Sequence, residues 1–191
     1  PSVIGYQYNL AEYKFIRGET GEALELVREL LQMQTFENIV LMNTLLSYVF
    51  QVNNYTGELV QQFVIDYERI GEGYKSLDSQ LIYAKLLFHK GERLEALERM
   101  DQILKYSRSR KIKLMLVKAA LAKLGMLMEL SSKKREMLNL FREALFYSSE
   151  DKILLPFYFE RERVVKAIRE FGSSFYAELN YTEKAFYQEI L

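Results

Sequence analysis

The amino-acid sequence predicts an all-α fold in which antiparallel helix hairpins stack into a right-handed superhelix, and three observations carry that expectation. Proline occurs only at positions 1 and 156, and most of the nine glycines fall where helices would end, so long uninterrupted helices are permitted. Ala96, Met100, Ile103 and Leu104 recur at the spacing of a helix's buried face just after Gly91. The same grammar appears earlier in IRGETGEALELVRELL, where Gly18 answers Gly91, Glu22 answers Glu95, Ala23 answers Ala96 and Leu24 answers Leu97, all 73 residues apart. That distance leaves room for one more copy between them. In such a stack each helix pair buries its apolar face only against its neighbours.

Taken in order, Tyr6 to Arg17 and Glu19 to Gln34 read as a first hairpin (6–34) turning at Gly18. Leu10, Ala11 and Lys14 face Ala23, Val27, Leu30 and Leu31, and the small residues matter because two helices approach closely only where no large side chain separates them. A second, weaker hairpin (37–70) turns at Asn53 and Asn54, with Leu46, Ser47, Phe50, Leu59 and Phe63 inside and Asp66 breaking the pattern. A third (76–106) pairs Ala84 with Ala96. A fourth (111–148) follows a longer loop, SRSRK, and places Leu124, Gly125, Met128, Met137, Phe141 and Ala144 inside. Beyond it, an apolar run around Pro156, a helix from Arg161 stopped by Gly172-Ser-Ser, and a last helix from Phe175 to Leu191 form a C-terminal cap (159–191). One domain of helical repeats, 1–191, is expected, and with Pro rather than Met at position 1 it is expected to be a piece of a longer protein.

Composition narrows the function. Cysteine is absent, which removes disulfides, thiol nucleophiles and thiolate metal sites and points to a reducing, cytoplasmic setting. No apolar run approaches the ~18–20 residues that span a bilayer, so no membrane partner is expected. The formal net charge is zero but uneven: residues 1–100 hold nine basic against fourteen acidic residues, and residues 101–191 hold seventeen against twelve. The basic excess around Lys105, Arg108, Arg110, Lys111, Lys113 and Lys118 reads as a solvated loop and outer helix faces, or else as a contact for an acidic partner.

His89 is the only histidine, and carboxylate pairs such as Glu160 and Glu162 sit among Lys and Arg as a salt-bridged surface would. With no nucleophile, base and orienter set, no enzyme and no cofactor or metal is expected. Recognition is the better expectation. The first helix of each pair would line a concave wall, bringing Tyr8, Glu12, Phe15, Tyr48, Gln51, Lys85, Phe88 and His89, with Met126 and Glu129, to one face for a ligand. Aromatic area with a few polar groups suits a pocket, whereas Phe15, Phe88 and Met126 also suit packing between helices.

The turn spacings of about 36, 37 and 41 residues, with a small residue in the first helix, Gly at the turn and Ala in the second, resemble tetratricopeptide repeats over 6–148. MLNLFREALFYSSEDKILLPFYFERERVVKAIREF (137–171) is similar to the last repeat of the sensory region in MalT-like, ATP-dependent regulators of the LuxR type. There an Ala-Leu helix, a gap, an Arg-Pro-Phe element and a short apolar helix occur in that order. Ala144-Leu145, Pro156-Phe157 and Val164 to Ile168 hold those places, with Leu155 where the family has Arg. The resemblance implies a signal-sensing domain of a transcription regulator that binds a small inducer, peptide or regulatory protein and controls self-association as a homo-oligomer. DNA would be reached only through a helix-turn-helix domain outside this chain, although LNYTEKAFYQEIL resembles the opening of one. The rival expectation is a plain tetratricopeptide adaptor that holds a peptide or partner protein on its concave face.

Overall fold

The computed structural model describes residues 3–32, 58–71, 73, 75–131 and 134–191 of the chain. All regular structure among them is helical, with no strand. They fall into two compact units, Pro1–Lys90 and Gly91–Leu191. The predicted first helix of the second hairpin and its Asn53-Asn54 turn lie outside the described residues.

In the first unit, α1 (Val3–Ile16) and α2 (Thr20–Gln32) pack against each other across a turn at Gly18. Gly18 has φ 78°, left-handed backbone that a residue with a Cβ adopts only at a cost. Ala11 and Ala23 are completely buried, as close approach of the two helices requires. Lys14 adds an electrostatic staple over the turn, donating to Glu19 at 3.1 Å and also to Glu22. Further on lie α3 (Glu58–Arg69) and α4 (Leu77–His89). Ser76 caps α4, its hydroxyl accepting from the Ser79 N–H at 3.1 Å. Ala11, Phe15, Ala23, Val27, Leu30, Phe63, Tyr67, Ile82 and Leu86 make one core, drawn from all four helices.

The second unit runs α5 (Arg93–Arg110), α6 (Lys113–Glu129), α7 (Lys134–Ser149), α8 (Leu155–Phe159), α9 (Arg161–Ala177) and α10 (Tyr181–Glu189). The central element is α6: it packs against α5, α7, α8 and α9, and from Met115 to Met128 only Lys118 escapes burial. That accounts for its nearly all-apolar sequence, since a helix covered on every side has no polar face to keep.

A 41-residue correspondence organises this unit. The buried positions of α5 are Ala96, Met100, Ile103, Leu104 and Ser107, and the residues 41 further on, Met137, Phe141, Ala144, Leu145 and Ser148, are all buried in α7. Both helices end in the same way. Lys111 and Lys152 are left-handed (φ 55° and 54°), and the N–H groups of Ile112 and Ile153 donate back to the carbonyls of Ser107 and Ser148. The sequence signal is Lys-Ile-x-Leu, at 111–114 and again at 152–155. Left-handed backbone recurs at Ser131 (φ 50°) and Gly172 (φ 68°), again 41 apart, after α6 and in the middle of α9.

Two expectations are corrected and one is met. SRSRK is not a loop: α5 continues through it to Arg110, because nothing in that segment stops a helix before Lys111 turns left-handed. Gly172 does interrupt the helix that begins at Arg161, as expected: its backbone (φ 68°, ψ −165°) is non-helical, and a further helical stretch follows to Ala177. The last helix does not run unbroken from Phe175 to Leu191. Asn180 restarts the chain in a capping box, its side chain accepting from the Glu183 N–H and its own N–H donating to the Glu183 carboxylate, both at 2.9 Å.

Candidate functional site

Among the residues expected on a recognition wall, the first unit holds most. Phe15 is 2 % exposed and belongs to the core, while Tyr8 packs half-buried against the same cluster. Core membership follows from the spacing: Phe15 lies four residues after Ala11, on the face of α1 that meets α2. Glu12 lies on α1, and its side chain is outside what is described; Tyr48 and Gln51 lie outside the described residues. The last turn of α4 carries three more. Lys85 is buried, Phe88 half-buried and His89 exposed beside the Gly91 turn. The structure thus brings Tyr8 and Phe15 into one cluster, and Lys85, Phe88 and His89 onto one helix end.

Sequence reasoning missed an aromatic column that runs through this core. Tyr67 of α3 stacks on Tyr83 of α4 with ring centroids 4.3 Å apart and planes 13° apart, and Phe63 stacks on Tyr67 at 5.8 Å. The Lys75 ammonium lies 4.4 Å from the Tyr67 centroid, close enough for cation–π attraction. Tyr67 follows Phe63 by four residues on a helix, the spacing that puts two rings on one face.

In the second unit, Met126 is buried and Glu129 exposed on α6, where Glu129 accepts from Arg163 of α9 at 3.2 Å. Lys123, one turn earlier, is the buried charge of this helix. Its ammonium donates to Asp101 of α5 and to Glu136 of α7, each at 2.6 Å, so one cation joins three helices. Burial alone would lower its pKa, but hydrogen bonds from the ammonium to the two carboxylates, and their charges, outweigh this and hold it above the ordinary lysine value. The corresponding position 41 residues on is Val164, 1 % exposed, so the repeat carries an apolar residue at the matching place in α9.

Two members of the basic segment that stood out in the sequence, Arg108 and Lys113, pair with carboxylates further along the chain. Arg108 donates two bonds to Glu143, at 2.7 and 2.6 Å, and Lys113 pairs with Asp151 at 2.7 Å. Arg142 pairs with Glu178, and Lys152 with Glu189. These bonds cross from one element to another at separations of 35 to 38 residues. Among the described residues no group of three or more acidic, histidine or cysteine side chains is placed to hold a metal ion. None of the described helices is long and apolar enough to cross a membrane. Comparison with known proteins, whether family models, curated proteins or solved structures, returns no match.

Proposed function

We propose that this chain is a signal-sensing and protein-interaction domain of a transcription regulator, similar to the helical region of MalT-like, LuxR-type proteins. It binds an inducer or a regulatory partner and so controls self-association. The reading takes the hairpins as a tetratricopeptide-like superhelix, and its main support is the 41-residue correspondence of buried positions and left-handed caps between α5 and α7. The resemblance in 137–171 is supported by the form of its parts: Ala144 and Leu145 are buried in α7, a short gap follows, and Pro156-Phe157 open a five-residue helix on α6. In such a domain the ligand acts by differential affinity, favouring one curvature over another.

The plain adaptor is the second reading. Nothing in the geometry of the hairpins separates a small inducer from a peptide, since aromatic and polar groups at helix ends serve both. A thermal-shift titration with sugars, small metabolites and short peptides, repeated on Tyr48→Ala and His89→Ala, tests both. The regulator reading expects a small molecule to raise the melting temperature, the shift to shrink in the variants, and light scattering to report a change of mass on binding. A hit confined to peptides, with no change in mass, favours the adaptor. A ligand indifferent to both substitutions refutes the recognition wall.

A further inference from the structure

The last elements of the second unit contain a departure from its repeat. Position 119 of α6 is alanine and 122 is alanine, both buried, yet the residues 41 further on are Glu160 and Arg163. Glu160 is only 7 % exposed, at the break between α8 and α9, and its carboxylate accepts from Arg163 at 2.6 Å. The same guanidinium reaches Glu129 of α6 at 3.2 Å. Its stem crosses α6 at Gly125, where an added Cβ would fall 2.7 Å from Arg163 Nε and nearer still to its Cδ. Glycine in the middle of a buried helix costs stability, so this opening in α6 has a use in the close approach of the arginine. Burial would lower the Arg163 pKa, but Glu160 and Glu129 hold it above the ordinary value, so the group stays charged in its seat.

We infer that residues 155–171 form a separately releasable clasp on α6, fastened by Arg163 in the Gly125 seat between Glu160 and Glu129. Two breaks in helical geometry bound or divide the clasp: Glu160, between α8 and α9, and Gly172, whose φ of 68° and ψ of −165° interrupt α9. Beneath it, α6 keeps its packing with α5 and α7 and its own Lys123 bridge, none of which involves Arg163. Phe157, Val164, Ala167 and Phe171 of the clasp are buried as well, and the Phe171 ring lies 5.9 Å from that of Phe141 of α7, so loss of the fastening loosens the clasp against this apolar hold while the three-helix layer beneath stays closed. The Arg163 and Glu129 side chains are 43 % and 53 % exposed and only Glu160 is buried, so the bridge adds little net stability and serves to set the position of the segment.

Hydrogen exchange read by mass spectrometry on the whole 191-residue chain tests this. In Arg163→Met, amides of 155–171 should exchange on the order of ten-fold faster, while those of 113–149 stay within about twofold of wild type. Equal acceleration of both segments, or failure of the variant to fold, would show one cooperative body and overturn the clasp; so would no acceleration at all. A second, milder pair of variants isolates the seat. Gly125→Ala should loosen 155–171 when Arg163 is present and add nothing further in the Arg163→Met background. If it loosens the segment equally in both backgrounds, the seat is wrong.

Discussion

Replacing Lys123 by methionine, and separately by glutamate, weighs the one cation that joins α5, α6 and α7. The side chain is 6 % exposed, whereas its partners Asp101 and Glu136 are 59 % and 33 % exposed. Methionine keeps most of the stem's apolar contact, and both freed carboxylates turn to water. A charge-assisted hydrogen bond contributes roughly 1.5–3 kcal/mol, but the exposed Asp101 partner holds that bond to at most about 1 kcal/mol. Desolvation of the ammonium offsets a further share. The net loss for Lys123→Met is then about 1–2 kcal/mol, a few degrees in melting temperature for a chain of this size. Glutamate instead buries a third carboxylate beside two others, and about 3–5 kcal/mol should be lost. The sign with pH follows from the raised pKa. The lysine's contribution is full below the unfolded-state value of about 10.4 and is lost as pH rises through the higher folded-state value. Burial also pushes the Tyr187 phenol up, which adds to the same alkaline loss in both chains. Urea unfolding of wild type and Lys123→Met should therefore show a constant gap from pH 6 to 9 that closes above about 10.5. A methionine variant more stable than wild type at pH 7 would show that desolvation outweighs the bridge. A glutamate variant no worse than methionine would show that the ammonium does not sit between the carboxylates.

Three further outcomes are expected. Lys111→Gly should raise stability by about 0.5–1 kcal/mol in thermal denaturation, since it relieves a left-handed residue; Lys152→Gly should gain less, because it gives up the bond to Glu189. Ala96→Glu puts a carboxylate at a position with no exposed surface and should cost on the order of 3 kcal/mol or more, read as a fall in melting temperature. Asn180→Ala removes the capping box of α10 and should cost about 1 kcal/mol, with faster amide exchange confined to 181–189.

The residues that were legible in the sequence are those whose chemistry leaves one option. Gly18 and Gly91 mark turns because both adopt positive φ, and Ala11 and Ala23 mark a close approach because each is wholly buried where α1 meets α2. The repeat in the second unit was harder to read. Its caps are lysines, ordinarily poor candidates for left-handed backbone, and SRSRK contains neither glycine nor proline to announce a stop. The break at Asn180 had a readable signal in Asn180 and Glu183, three residues apart, hidden by the amphipathic pattern that continues across it. The expected wall was least legible. Periodicity places a residue on a helix face, but whether that face meets solvent depends on what packs there, which is why Phe15 and Lys85 are buried and His89 is exposed.

The ion pairs that tie one part of the second unit to the next have an entropic consequence. Each closes a loop of 34 to 38 residues, and the Lys123 bridges close shorter ones of 13 and 22. Closure entropy rises only with the logarithm of loop length, so a link over 38 residues costs only about 1 kcal/mol more than one over 13. The longer ties that hold the second unit together therefore cost its assembly little beyond what the Lys123 bridges cost.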